Sequence, residues 1–169
     1  MQRLTAKDAA AYIDLRRRAS QTDPLAFTPP IIHDPGLARD RVEDALGQDR
    51  PGTAACILGV FAGRLVGVLG LARELGARDR AQLWGLYVVP EYRGVGVGLS
   101  LLSTACDLAH GMDGVERLHL RVAAGSRDAL RLFERFGFER LSPAGDAPEG
   151  ETPPLADVAM ELELPDEAA

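Results

Sequence analysis

Three glycines at alternate positions, Gly94, Gly96 and Gly98, stand between a run that reads as a strand and a run that reads as a helix. Upstream, Gln82-Leu83-Trp84-Gly85-Leu86-Tyr87-Val88-Val89 is apolar and is stopped by Pro90. Downstream, Leu99, Leu101, Leu102, Ala105, Leu108 and Ala109 recur at helical spacing until Gly111. Glycine lets a backbone turn left-handed and lets another molecule approach closely. The first amides of the following helix lack internal acceptors, and the helix dipole favours negative charge there. Strand, tight turn and helix in this order therefore predict an anion site, and Arg93 at its start can add a side-chain contact.

Spacing narrows the anion. A phosphate-binding loop of the Gly-Lys-Ser/Thr type needs a lysine where Leu99 follows Gly98, and a dinucleotide fingerprint needs a third glycine where Leu99 follows Gly96. Neither pattern fits. A tight connection whose glycines merely relieve crowding remains the alternative on spacing alone.

The rest of the chain supplies a frame. Thr5-Ala6-Lys7-Asp8 reads as a capping box after a short strand at residues 2–4, with a first helix to about Ser20 through Ala11, Tyr12, Leu15 and Ala19. The proline-rich segment from Asp23 to Pro30 breaks it, and a second helix is expected after Pro35, carrying Leu37, Arg41, Val42 and Leu46. Two apolar runs across Ala62-Gly63-Arg64 read as an antiparallel hairpin covered on both faces. Val115 to Val122 reads as a strand, and Ser126 is placed to cap a helix that Gly137 ends. Short strands are expected at 138–141 and 157–164, separated by a Pro- and Gly-rich loop and followed by a frayed tail at about 165–169. The order β-α-α-β-β-β-α-β-α-β-β implies one domain over 1–169 of the α/β (α+β) class, with a mixed sheet and helices on both faces.

Composition excludes some partners. The 169 residues carry a formal charge of -6 spread along the chain, which argues against nucleic acid. No apolar run approaches the ~20 residues that span a bilayer, and no signal peptide is legible at the start, so a cytoplasmic protein with no membrane partner is expected. Cys56 and Cys106 lie far apart, and His33, His110 and His119 are scattered, so no metal site is assembled.

At the glycine turn the sequence resembles a known family. Val88-Val89-Pro90-Glu91-Tyr92-Arg93-Gly94-Val95-Gly96-Val97-Gly98, followed by Leu101-Leu102, is similar to motif A of the GNAT superfamily of N-acetyltransferases, with Arg93, Gly96 and Gly98 at its key positions. Leu120-Arg121-Val122, Ala129, Leu132-Phe133 and Gly137-Phe138 resemble motif B, and Tyr12 to Arg16 with Asp23 to Phe27 resembles the family's start.

The resemblance implies a mostly antiparallel sheet splayed at its central strands, with acetyl-CoA as co-substrate. Pantetheine would lie in the splay along Leu86, Tyr87 and Val88. The Leu86 backbone N–H would meet the acyl carbonyl, where oxyanion character develops. Arg93, Gly94, Val95, Gly96, Val97 and Gly98 would hold the pyrophosphate, and Ser126 and Phe133 would line the cofactor.

Three positions depart from the family: Ser126 where Asn is frequent, Phe133 where many relatives carry a proton-donating Tyr, and Gln82 where some carry a glutamate base. Glu74 and Asp157 are the substitute carboxylates. The implied reaction is direct acetyl transfer to a primary amine in a ternary complex, with a homodimer possible as in relatives. A non-catalytic acyl-CoA-binding module, a sensor or regulatory subunit, is the alternative.

Overall fold

The computed structural model describes residues 1–27, 33–47, 55–74, 76–141 and 157–165. Strand β1 (Gln2–Arg3) leads through a single 3-10 turn into helix α1 (Ala9–Thr22), and α2 follows at Arg39–Gly47. Strands β2 (Ala55–Ala62), β3 (Arg64–Arg73) and β4 (Arg80–Val88) come next, then α3 (Val97–His110), β5 (Arg117–Ala123), α4 (Arg127–Phe136), β6 (Glu139–Arg140) and β7 (Asp157–Glu163). This is the expected order, element for element.

The capping box forms as read: the Thr5 amide and hydroxyl both donate to the Asp8 carboxylate, at 2.8 and 3.0 Å. Helix α2 starts later than expected and leaves Leu37 exposed. Asp34 accepts the Gly36 amide at 2.9 Å and Gly36 sits at positive φ, so residues 34–37 are held as a turn. The first α2 bond is Val42 N–H to Ala38 C=O. The loop expected at 142–154 lies outside the described residues.

Among the described residues, seven strands form one sheet in the order β1-β2-β3-β4-β5-β7-β6. Every pairing is antiparallel except β4 with β5, which is parallel. Helices α3 and α4 cover one face over a core that includes Leu58, Leu69, Leu71, Leu83, Leu101, Leu118, Leu120, Phe133 and Met160. The other face packs α1 and α2 over Tyr12, Ile13, Leu15, Val42, Leu46, Val66, Val68, Trp84 and Tyr87. The hairpin strands thus bury both faces, as their unbroken apolar runs require.

Candidate active site

The parallel pairing of β4 with β5 covers four residues on each strand, from Arg80↔Arg117 to Leu83↔Leu120, and stops. Strand β4 runs on to Val88, while β5 runs on to Ala123 paired only with β7. The two central strands therefore part after Leu83 and Leu120.

Gly85 explains why. The β3–β4 register shifts between Val68↔Tyr87 and Gly70↔Trp84, so Leu69 faces both Gly85 and Leu86 in a bulge. A bulge bends its strand and raises the local twist. Gly85 has φ +62, and a Cβ there would lie 2.7 Å from the Phe27 ring. Both its conformation and its neighbour demand glycine.

The bulge also aims the backbone. Val89 N–H donates to Val66 C=O at 2.9 Å, and Glu74 N–H donates to Arg80 C=O at 3.0 Å. In an antiparallel ladder, bonded and non-bonded pairs alternate. Counting along the register, Trp84 and Tyr87 pair through their peptide groups with β3, whereas Gly85, Leu86 and Val88 turn theirs away from β3. They face the side on which β5 has departed.

The parting opens a pocket lined from both faces of the sheet. From the α3/α4 side come Leu69, Leu83, Leu86, Leu120, Val122, Ser126, Ala129 and Phe133; from the α1/α2 side come Asp23, Phe27, Asp34, Trp84 and Arg121. One side reaches α4 and the other reaches the segment between α1 and α2. An object lying in the gap is accessible from both.

The glycine turn closes the far end of β4. Gly96 caps α3 at φ 91, and the first helical bond runs from Ser100 N–H to Gly96 C=O at 2.9 Å. The amides of Val97, Gly98 and Leu99 therefore stand outside the helical ladder. Gly94 also has positive φ, and Val95 at the tip is 72% exposed. Arg93 turns back beneath the turn. Its Nε donates to Val88 C=O at 2.8 Å, and its guanidinium lies 3.7 Å from the Asp23 carboxylate and 5.5 Å over the Tyr87 ring. The arginine braces the turn against β4 and the α1 terminus.

The other expected positions sort themselves by burial. Tyr87 points into the α1/α2 core with its hydroxyl 2.7 Å from that of Thr22. Phe133 is buried and meets Phe138 edge-on at 5.6 Å, with one side on the pocket. Ser126 occupies the N-cap position of α4 but makes no side-chain cap bond, and its buried Oγ has no partner. That hydroxyl lines the pocket. Gln82 pairs across the sheet with His119, and Asp157 is taken by Arg121 at 3.3 Å.

On the α1/α2 side, Arg16 binds Asp34, lies 3.1 Å from the Tyr12 hydroxyl and stacks 3.7 Å over Phe27. Burial pushes the Tyr12 phenol up to about 12. Burial lowers His33 and, against the partly opposing pull of Glu74, lowers His119. Sequence spacing missed Gly85, Trp84 and His119, because the contacts that bring them here cross between elements. A glycine within an otherwise β-prone run was the one available signal for the bulge.

A family model described as Acetyltransferase (GNAT) family matches residues 21–138. The chain belongs to the GNAT acetyltransferase family. An uncharacterised N-acetyltransferase of Escherichia coli, YjgM, is 32% identical over 146 residues, covering 85% of this chain and 84% of that one. Among solved structures, the PaiA N-acetyltransferase of Thermoplasma acidophilum in complex with coenzyme A superposes with a TM-score of 0.74 at 20% identity, covering 96% of each chain. The YncA protein of Salmonella typhimurium, a putative acetyltransferase with acetyl-CoA, gives 0.71 at 21% identity, covering 99% of this chain and 95% of that one. The splayed sheet is thus the GNAT fold, and those two neighbours were solved with acetyl-CoA and coenzyme A. No helix among the described residues is long and apolar enough to cross a membrane, and they hold no cluster of metal-ligating side chains.

Proposed function

We propose that this GNAT chain moves the acetyl group of acetyl-CoA directly to a primary amine, with both substrates bound together. The observation that carries the reading is the gap between β4 and β5, which is lined from both faces of the sheet and ends at the glycine turn. Pantetheine laid along β4 would take up the peptide groups that Gly85, Leu86 and Val88 turn away from β3. The Leu86 N–H is the group proposed to stabilise the oxyanion formed when the amine attacks, a role that needs only a fixed backbone donor. The buried, unpartnered Oγ of Ser126 supports the same fit, because an orphaned polar atom gains a partner when an amide-bearing chain enters. The amides that open α3, with those of Gly94 to Gly96, are assigned to the pyrophosphate.

The amine would enter from the α1/α2 side, past Phe27, Asp34 and Trp84. Attack by the neutral amine forms the N–C bond, the C–S bond breaks to release the thiolate of coenzyme A, and the nitrogen gives up one proton, which the thiolate takes, as the amide forms. Phe133 donates no proton, and none is required of a leaving group as weakly basic as a thiolate. Positioning of the amine beside the thioester supplies much of the rate.

The test is release of free thiol from acetyl-CoA across a panel of amines: spermidine, a peptide with a free alanine N-terminus, a lysine-containing peptide and an aminoglycoside. Release is expected with at least one class, and Arg93→Ala, which unbraces the turn, should raise the KM for acetyl-CoA. Tight acetyl-CoA binding without release above background for any amine would reduce the protein to a carrier.

A further inference from the structure

Three side chains, one just past the end of β3 and the others on β4 and β5, meet on the α1/α2 side of the sheet with polar atoms unsatisfied. Glu74 Oε2 lies 3.9 Å from His119 Nδ1 and 4.0 Å from Arg80 Nε, and each of these atoms is buried without a hydrogen-bond partner. Such separations are too long for direct hydrogen bonds, and with almost no surface open to water these atoms act on one another only through space. Buried polar atoms are rarely left orphaned, so three in one place mark a spot organised around something.

The place is informative. His119 pairs with Gln82 in the last turn of the ladder before Leu83↔Leu120, where β4 and β5 part. One pleat repeat further along, about 7 Å, Trp84 and Arg121 line the pocket. The cluster therefore sits at the closed end of the gap, on the side opposite α3 and α4. Gln82 stands beside it and has no basicity to offer.

We propose that His119, oriented by Glu74, accepts the proton that an aliphatic ammonium acceptor must lose before attack, through a water held between the cluster and the pocket. This rests on the acetyl-transfer reading and assigns its base. A carboxylate on the Nδ1 side favours the tautomer with its proton there, which leaves the Nε2 lone pair as the acceptor. The ammonium gives one proton through the water to Nε2, and the neutral nitrogen then attacks the thioester carbon. As the C–S bond breaks, the second nitrogen proton passes to the departing thiolate. The products are the amide, free coenzyme A and a protonated His119, which returns its proton to solvent.

The charges facing His119 are Glu74 just past β3, Arg80 from β4, Glu161 from β7 and Arg121 from its own strand. Burial lowers its affinity for a proton most, the two arginines lower it too, and the two carboxylates oppose them in part. The imidazole is accordingly neutral near pH 7 and ready to accept.

The test uses the full chain, acetyl-CoA and two nucleophiles: the panel amine turned over fastest, and hydroxylamine, which is already neutral near pH 7. His119→Gln is expected to lower kcat/KM for the ammonium amine about 100-fold and to change the hydroxylamine rate by less than threefold. Glu74→Gln should shift the acid limb of the wild-type pH profile to lower pH, since it removes a group that stabilises the imidazolium. Stabilisation by acetyl-CoA in a thermal melt should be the same for all three proteins, which separates loss of the base from loss of the fold. Equal losses with both nucleophiles, or an unchanged acid limb in both variants, would overturn the assignment while leaving acetyl transfer intact. A wild-type chain that acetyl-CoA does not stabilise, and that releases no thiol, overturns both.

Discussion

Gly85 and Ser126 show how much of this site rests on single residues. At Gly85 a side chain meets two penalties, a positive φ and the Phe27 ring at 2.7 Å. Gly85→Val should cost about 2–3 kcal/mol in urea unfolding and raise the KM for acetyl-CoA, because the bulge cannot keep its shape. Gly63 also has positive φ but meets nothing within 4 Å, and Asn tolerates that conformation. Gly63→Asn should therefore leave the KM unchanged and cost only a few tenths of a kcal/mol. Ser126 makes the opposite prediction. Removing a working N-cap costs ~1 kcal/mol, yet this hydroxyl has no bond to lose. Ser126→Ala should leave unfolding of the free protein within about 0.5 kcal/mol and weaken acetyl-CoA binding instead; a loss of 1 kcal/mol or more in the free protein would show that the hydroxyl caps after all. The serine was legible in the sequence as a cap by position. Its actual situation depends on α4 and β5 meeting at the pocket, which no local pattern encodes.

Among the elements, α1 and the segment before α2 form the wall through which an acceptor would pass, and one ion pair ties them. Arg16 and Asp34 have side chains only 11% and 12% exposed, and the same guanidinium stacks on Phe27. Deleting one partner of a nearly buried pair leaves the other charge uncompensated. Asp34→Ala should therefore cost about 2–3 kcal/mol, and adding Arg16→Met should recover most of it; a double variant no more stable than Asp34→Ala would refute that account. Element boundaries were readable where a local signal existed. The capping box, the Gly63 turn and Gly137 at the end of α4 each carry their instruction within a few residues. The start of α2 was not, because the Asp34 to Gly36 turn that delays it is itself fixed by Arg16, 18 residues back. The turn from Arg93 to Gly98 was the most legible element, since its positive-φ glycines and the helix start that follows are written in consecutive residues. Its arginine was less so: the side chain points back to Val88 and Asp23 rather than outward.

At the scale of the whole molecule, acid should weaken the fold through two histidines before it reaches the carboxylates. His33 and His119 both lie below their ordinary value of 6.5 in the folded chain. The unfolded chain then binds protons first as the pH falls through 6.5, so stability declines from about pH 7 toward pH 5. Urea midpoints at pH 7.5 and 5.5 should differ more for the wild type than for His119→Gln. Asp79 and Glu91 are held below the usual carboxylate range, Asp79 by its own backbone amide and then Arg117, Glu91 by Arg18 and then its own amide. Their contributions are lost only in more acidic solution. His119 looked isolated in the sequence because Glu74, just past β3, and Arg80 and Gln82 on β4 reach it only through strand pairing set by the entire sheet. The sheet itself is mechanically two plates. One is β1 to β4, the other is β5, β7 and β6, and the seam between them carries four residue pairs at one end and none at the other. A pantetheine arm seated along that seam would act as a missing rung and lock the plates together. Amide exchange at Gly85, Leu86 and Val88 should then slow on adding coenzyme A, while exchange at Tyr87, already bonded within its own plate, should change least. The ligand, on this view, finishes the architecture that the chain leaves ajar.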